Sequence, residues 1–257
     1  MTAKKSLPLG IDVGGSGIKG APVDLTSGEF AAERVRIPTP DTSTPEAVAD
    51  VIAEIIDAFD EVGPDAPIGI TVPGVVTHGV VRSAANIDKG WLDCDADKLF
   101  TERLGRDVHV VNDADAAGVA EVRYGAAKGK EGFVILTTLG TGIGVALIHD
   151  GVLIPNAELG HLELDGHDAE KRASSAAREA KDLSWEEWAE RLQRYYSHLE
   201  NLLWPDLFVV GGGVSKKAGK FLPLLDLRTP IIPATLLNSA GIVGAAALAA
   251  DESARRR

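Results

Sequence analysis

The feature that most constrains the fold is a pattern that occurs twice. Leu7 to Val13 is a short apolar run that stops at Gly14-Gly15-Ser16-Gly17. Ala21, Val23 and Leu25 then alternate with other residues before a polar turn at Thr26-Ser27-Gly28-Glu29. Phe133 to Leu139 runs in the same way into Gly140-Thr141-Gly142-Ile143-Gly144, followed by Val145 to Ile148 and the turn His149-Asp150-Gly151. Short apolar runs bounded by glycine read as buried strands. Both segments are therefore strand, glycine turn, strand, polar turn, strand, an internal repeat that points to a duplicated, two-lobed α/β protein. The expected lobes are residues 1–112 and 113–239, with a C-terminal helix over 240–257 packed on the first.

The intervening segments supply the other elements. Val35 and Ile37 resume the strand alternation after Glu29. Val48, Val51, Ile52, Ile55, Ile56, Phe59 and Val62 share one helical face. That helix starts either from a capping box of Ser43 and Glu46 or from Thr44 with Pro45 first in the helix. Pro67 to Val76 and Asp107 to Val111 read as strands, the second stopping at Asn112-Asp113, and Ala114 to Tyr124 has helical composition. Residues 165–200 read as charged helix, with Trp185, Trp188, Leu192, Tyr195, Tyr196 and Leu199 at helical spacing, a stripe that packs a core. Leu207 to Val210 leads into Gly211-Gly212-Gly213, Ala240 to Ala250 forms a helix, and Arg255 to Arg257 reads as a frayed tail.

Composition removes several classes of function. The chain of 257 residues is 45% apolar and carries 26 Lys and Arg against 38 Asp and Glu, net −12. Mean hydropathy is +0.04, so the chain reads as globular, and no apolar run reaches the length of a bilayer span. A globally basic surface for nucleic acid or anionic lipid is excluded, although a local basic groove is not. The single cysteine, Cys94, allows no intrachain disulfide and fits a reducing, cytoplasmic location.

Gly15-Ser16-Gly17-Ile18-Lys19-Gly20 matches the spacing GxGxxG. The dinucleotide motif needs a helix to open at the glycines, whereas the residues after Gly20 alternate as a strand. Glycine turns between strands either serve as plain hairpins or point successive amides at a phosphate. Their recurrence in matching places, with Asp12 and Lys19 beside the first, favours phosphate. Asp12 would hold a magnesium ion through water and Lys19 would neutralise a phosphate. Asp113, between a strand and a helix, is either a helix cap or a general base at the lip of a sheet.

Five segments together resemble the ROK branch (repressors, open reading frames, kinases) of the sugar kinases built on the actin-like, ribonuclease H-like fold. They are Asp12 to Gly17, Val111 to Ala117, Leu139 to Gly144, Glu158-Leu159-Gly160-His161 and Gly211 to Ser215. They stand in the family's order and the likeness spans residues 7 to about 248. The resemblance implies phosphoryl transfer to a sugar, with Asp113 as the base for the 6-hydroxyl. It implies that Asn86, Asn112, Asp113, Glu158, His161 and Glu170 bind the sugar. Phosphate would lie against Gly14, Gly15, Ser16, Gly17, Lys19, Thr141, Gly142 and Gly212.

One departure is informative. Where the family has a CxCGxxGC segment whose thiolates hold zinc with the histidine, this chain has Leu162 to Lys171 without a cysteine. The structural zinc is expected to be absent, leaving His161 to the sugar. That loss, with segments such as Asn201 to Phe208 and Ala240 to Ala246, is similar to the subgroup that phosphorylates glucose from inorganic polyphosphate and in some cases from ATP. A long polyanion needs cations beyond the catalytic centre, either Lys128 and Lys130 or Lys216, Lys217 and Lys220, and the second cluster follows the donor-side GGG loop. A homodimer is implied by resemblance alone. The alternatives are an ATP-dependent hexokinase of the same branch, acting on glucose, fructose or an amino sugar, and a sugar-binding regulator without catalysis. The branch's repressors carry an N-terminal helix-turn-helix, for which the first glycine turn leaves no room.

Overall fold

Alternation on either side of the first glycine turn builds a hairpin of β1 (Leu9–Gly14) and β2 (Gly17–Asp24), in which Asp12 stands opposite Lys19. The computed structural model describes residues 7–60, 62–84 and 87–256. They divide into two units, one running to Ala120 and resuming at Ser239, the other Glu121–Asn238.

In the first unit, β3 (Glu29–Phe30) and β4 (Val35–Ile37) pair with β2. Helix α1 (Pro45–Asp57) follows. Thr44 caps it through the Ala47 amide with Pro45 in the first turn, which decides between the two starts open to the sequence. The helix ends before Phe59 and Val62, which are buried from the turns beyond it. Parallel strand β5 (Ile68–Val72) joins β1, the two-residue strands β6 (Val76–Thr77) and β7 (Val80–Val81) pair with each other, α2 (Ala96–Leu104) follows, and β8 (Val108–Asn112) pairs parallel with β5. Helix α3 (Asp113–Arg123) leaves directly from β8.

Residues alternate between the faces of a strand. Ile11 and Gly20 face Ile55 of α1, while Gly10 and Gly69 face the C-terminal helix, Ala240–Arg256. At Gly10 and Gly69 a Cβ would strike the main chain of Ile242 or Ala245, so glycine is what lets this small-residue helix lie on the sheet. The same helix meets Ala116 of α3 at Gly244. The division between the two units falls within α3, after Ala120. Arg255 and Arg256 belong to this helix and pair with Glu252, so they are not the frayed end their composition indicated.

The second unit repeats the plan. Strands β9 (Phe133–Leu139), β10 (Ile143–His149) and β11 (Val152–Ile154) form the antiparallel part of a five-stranded sheet, in the order β11-β10-β9. The stretch read as continuous helix is instead a hairpin of β12 (Glu163–Leu164) and β13 (His167–Asp168), then α4 (Glu170–Ala173), α5 (Ser175–Ala180) and α6 (Trp185–Leu203). Strands β14 (Leu207–Gly211) and β15 (Ile231–Pro233) complete the sheet in parallel with β9. Trp188, Leu192, Tyr195, Tyr196 and Leu199 of α6 are buried against it, as the stripe predicts. Their polar ends are tied down: Trp188 donates to the Ala173 carbonyl, Tyr195 to the Leu159 carbonyl, and Tyr196 shares a 2.6 Å hydrogen bond with Thr137. Among the described residues no helix is long and apolar enough to cross a membrane.

Candidate active site

In the first unit the functional residues gather where β1, β5 and β8 end, the edge at which parallel sheets bind ligands. Lateral register puts Lys19, Asp12 and Thr71 side by side on three strands. The Lys19 ammonium lies 3.3 Å from Asp12 Oδ2, and the buried Thr71 hydroxyl donates to Oδ1 at 3.0 Å. The first turn of the C-terminal helix comes up beside them, since a Cβ on Gly241 would stand 3.5 Å from Oδ1. Thr71 is the kind of signal a sequence offers weakly: one hydroxyl inside an apolar strand.

The glycine turn that follows is held by its carbonyls. Thr39 donates to Gly14 O at 2.5 Å, and the Arg36 guanidinium to Ser16 O at 2.7 Å. With those carbonyls engaged, the turn is better suited to an anion. Gly15 and Ser16 are exposed, and Arg36 adds a cation opposite Lys19 in the β2–β4 register. A cavity of about 270 Å³ opens beside Gly14 and Gly15, floored by Val48, Ile87 and Trp91 and bordered by Thr39 and Asp41. Trp91 is pinned there by donating to the Ser43 carbonyl at 2.8 Å. Asn86, expected among the sugar ligands, lies outside the described residues.

At the end of β8 the cap is Asn112 rather than Asp113. Asn112 Oδ1 accepts from the amides of Ala114 and Asp115, and Nδ2 donates to the Gly74 carbonyl at 3.0 Å. Asn112 is thereby a buried strut of the α3 N-terminus. Asp113 is half-buried at the start of α3, its Oδ1 2.8 Å from the Ala114 amide. Asn112 thus caps α3 through two amides, and the Asp113 carboxylate shares the first of them.

In the second unit the β9–β10 turn closes by a Gly140 N–H to Gly142 O bond of 3.0 Å. Glu170, at the start of α4, reaches it: the Ile143 amide donates to Glu170 Oε2 at 3.1 Å, and a Cβ on Gly142 would strike that oxygen. His161 stands on the other side of the same carboxylate, with Nδ1 3.8 Å from Glu170 Oε1 and Nε2 3.8 Å from Glu158 Oε2. Its nearest partner is Asp168, 3.1 Å from Nδ1. An ionised carboxylate only accepts, so Nδ1 carries hydrogen and Nε2 is turned away from the pair. Hydrogen bonding to Asp168 raises the His161 pKa above its ordinary value, with the charges of Glu170, Asp168 and Glu158 adding to the effect and partial burial opposing it. Asp168, the partner of His161, is a residue the sequence reading did not single out. Its turn, Asp165-Gly166, has positive φ at both positions, the signature of a tight hairpin that would have brought Asp168 back toward His161.

Beside this turn, β14 ends at Gly211 opposite Thr138 of β9. Gly212 follows with φ +82° against the Leu139 main chain, and Ser215 closes the loop onto the Gly212 carbonyl through both its amide and its hydroxyl. Lys216 and Lys217 stand exposed on the helical turn after it. Lys128 and Lys130 are exposed as well, on the loop before β9. Thus Thr141, Gly142, Glu158, His161, Glu170, Gly212, Lys216 and Lys217 lie in one unit, and Asp12, Lys19, the first glycine turn, Asn112 and Asp113 in the other.

The ROK family profile matches residues 8–172, which include the first glycine turn, Asp113 and the whole His161 cluster. The chain belongs to the ROK family. It is 55% identical over 239 residues to the polyphosphate glucokinase of Mycobacterium tuberculosis, covering 93% of this chain and 89% of that protein. Among solved structures, the inorganic polyphosphate/ATP-glucomannokinase of Arthrobacter sp. strain KM superposes with a TM-score of 0.91 at 57% identity, over 96% of this chain and 100% of that one. A ROK family glucokinase from Streptomyces griseus, solved in complex with glucose and AMPPNP, gives 0.79 at 28% identity over 96% and 100%. The ROK fold is the actin-like one, in agreement with the repeated strand pattern of the two units.

Proposed function

We propose that this ROK protein transfers a phosphoryl group from inorganic polyphosphate, and from ATP, to the 6-hydroxyl of glucose. The observation that carries the reading is the 55% identity to a polyphosphate glucokinase along 93% of the chain. Asp113, both glycine turns and the His161 cluster all lie within residues 8–172, which the ROK family profile matches. The name of the Arthrobacter neighbour favours mannose as a second acceptor.

Asp113 takes the proton of the sugar 6-hydroxyl, and the sugar oxygen bonds to the terminal phosphorus. The bond from that phosphorus to its bridging oxygen breaks, and the donor leaves one phosphate shorter. Glu158 and His161 hold sugar hydroxyls, Asp168 orients His161, and Glu170 is placed to sense both the sugar segment and the donor-side turn. Asn112 contributes by fixing the start of α3 and therefore the position of Asp113. Gly14 to Gly17, with Lys19, receive phosphate on the first unit, and Thr141, Gly142 and Gly212 receive it on the second.

Asp12 fits a magnesium site of the water-mediated kind. Its carboxylate is about a quarter exposed, and the ammonium 3.3 Å from one oxygen disfavours direct coordination of a second cation. When bound, magnesium supplies charge neutralisation on the donor phosphates. The test is incubation of purified protein with glucose and nucleotide-free polyphosphate, followed by phosphorus NMR. Glucose 6-phosphate is expected. ATP-driven product without any polyphosphate-driven product would leave the ATP-dependent hexokinase as the better reading.

A further inference from the structure

Trp185 is the one member of the α6 stripe that is only half-buried, and its surroundings are cationic. The Arg178 guanidinium sits 3.8 Å from the ring centroid, the Lys220 ammonium 5.6 Å and the Lys217 ammonium 5.9 Å. Among the described residues none of the three pairs with a carboxylate, and Arg178 Nε is a buried donor without a hydrogen-bond partner. In a chain of net −12, three unpaired cations around one ring repel each other unless an anion visits. Cation–π attraction holds them in place without neutralising them.

The elements that carry these cations both abut the donor-side turn. Arg178 is on α5, whose Ala176 amide donates to the Gly140 carbonyl. Lys217 and Lys220 are on the helical segment that follows Gly212, which packs on Leu139 at the mouth of the same turn. The indole is already covered, by the guanidinium and by Phe221 stacked at 6.0 Å and 13°. It therefore supports cations and offers no surface on which a nucleobase could stack.

We propose that Arg178, Lys217 and Lys220, mounted on Trp185, form a track for the stretch of a linear polyphosphate chain that extends beyond the reacting phosphates. This rests on the donor reading above and deepens it. The track has no role for donors too short to reach it, so it sets chain-length preference.

The test compares the apparent KM for long-chain polyphosphate with that for tripolyphosphate in wild type and in Arg178→Ala/Lys220→Ala. The long-to-short KM ratio is expected to rise about tenfold or more in the variant. The slope of log KM against log salt for the long chain should fall by about one per cation removed. Arg178→Lys/Lys220→Arg should restore both. Lys217→Ala/Lys220→Ala, both at exposed positions, carries the same expectation should loss of Arg178 impair folding. A ratio unchanged in these variants overturns the track alone. A wild-type protein that uses ATP and no polyphosphate of any length overturns the donor reading beneath it.

Discussion

His161 Nδ1 and Asp168 Oδ2 face each other at 3.1 Å, an imidazole fixed by a carboxylate that the β12–β13 hairpin brings back to it. The pair raises the pKa of His161. Asp168→Asn is expected to lower it, read by titrating the His161 ring proton in NMR, and to raise the KM for glucose more than it lowers kcat. The raised histidine stabilises the fold fully below its unfolded pKa of about 6.5, and loses that contribution as pH rises through the folded value. The stability gap between wild type and Asp168→Asn should therefore be widest near pH 5.5 and close at alkaline pH in denaturant titrations.

Glu170 touches both the Ile143 amide and the neighbourhood of His161. Glu170→Ala removes an acceptor from the glycine turn and a negative charge from beside the imidazole. The KM for glucose and the KM for the phosphoryl donor should both rise, by roughly tenfold or more for loss of a hydrogen bond to a charged group. Steady-state kinetics with each substrate varied in turn checks this. A change confined to glucose would mean that the carboxylate does not support the donor turn.

What the sequence reveals here is what is local. The glycine turns, the strand ends at Asp12 and Asn112, and the Thr44 cap with Pro45 all follow from residue types within a few positions of one another. Contacts that depend on register or on a returning hairpin are not visible in that way. Thr71 meets Asp12 only because β5 pairs with β1 in one alignment. Asp168 meets His161 only because Asp165-Gly166 turns the chain, and reading that stretch as helix concealed it. The aromatic stripe on α6 was legible as core, but the exposed edge of Trp185 and the cations on it came from two segments forty residues apart in the chain, near Arg178 and Lys217 to Lys220.

Gly69 tests how the C-terminal helix is mounted. A methyl group there meets the Ala245 main chain, with no flexible side chain to give way. Gly69→Ala should cost roughly 1–3 kcal/mol or more, measured as a lowered Tm and a lowered denaturant midpoint.

Tyr196 tests the buried face of the second unit. Its hydroxyl shares a 2.6 Å bond with Thr137, both side chains being fully buried. Tyr196→Phe strands the threonine hydroxyl and should cost about 1–3 kcal/mol in denaturant titrations, with kcat unaltered.

The central claim is that Asp113 moves the proton of the accepting hydroxyl while Asn112 carries the helix cap. The most direct measurement is the turnover of Asp113→Asn with saturating glucose and either polyphosphate or ATP, beside calorimetric glucose binding to the same protein. The account predicts a fall in kcat of roughly 10²–10⁴-fold with both donors and glucose affinity within a few-fold of wild type. Turnover within tenfold of wild type would contradict it.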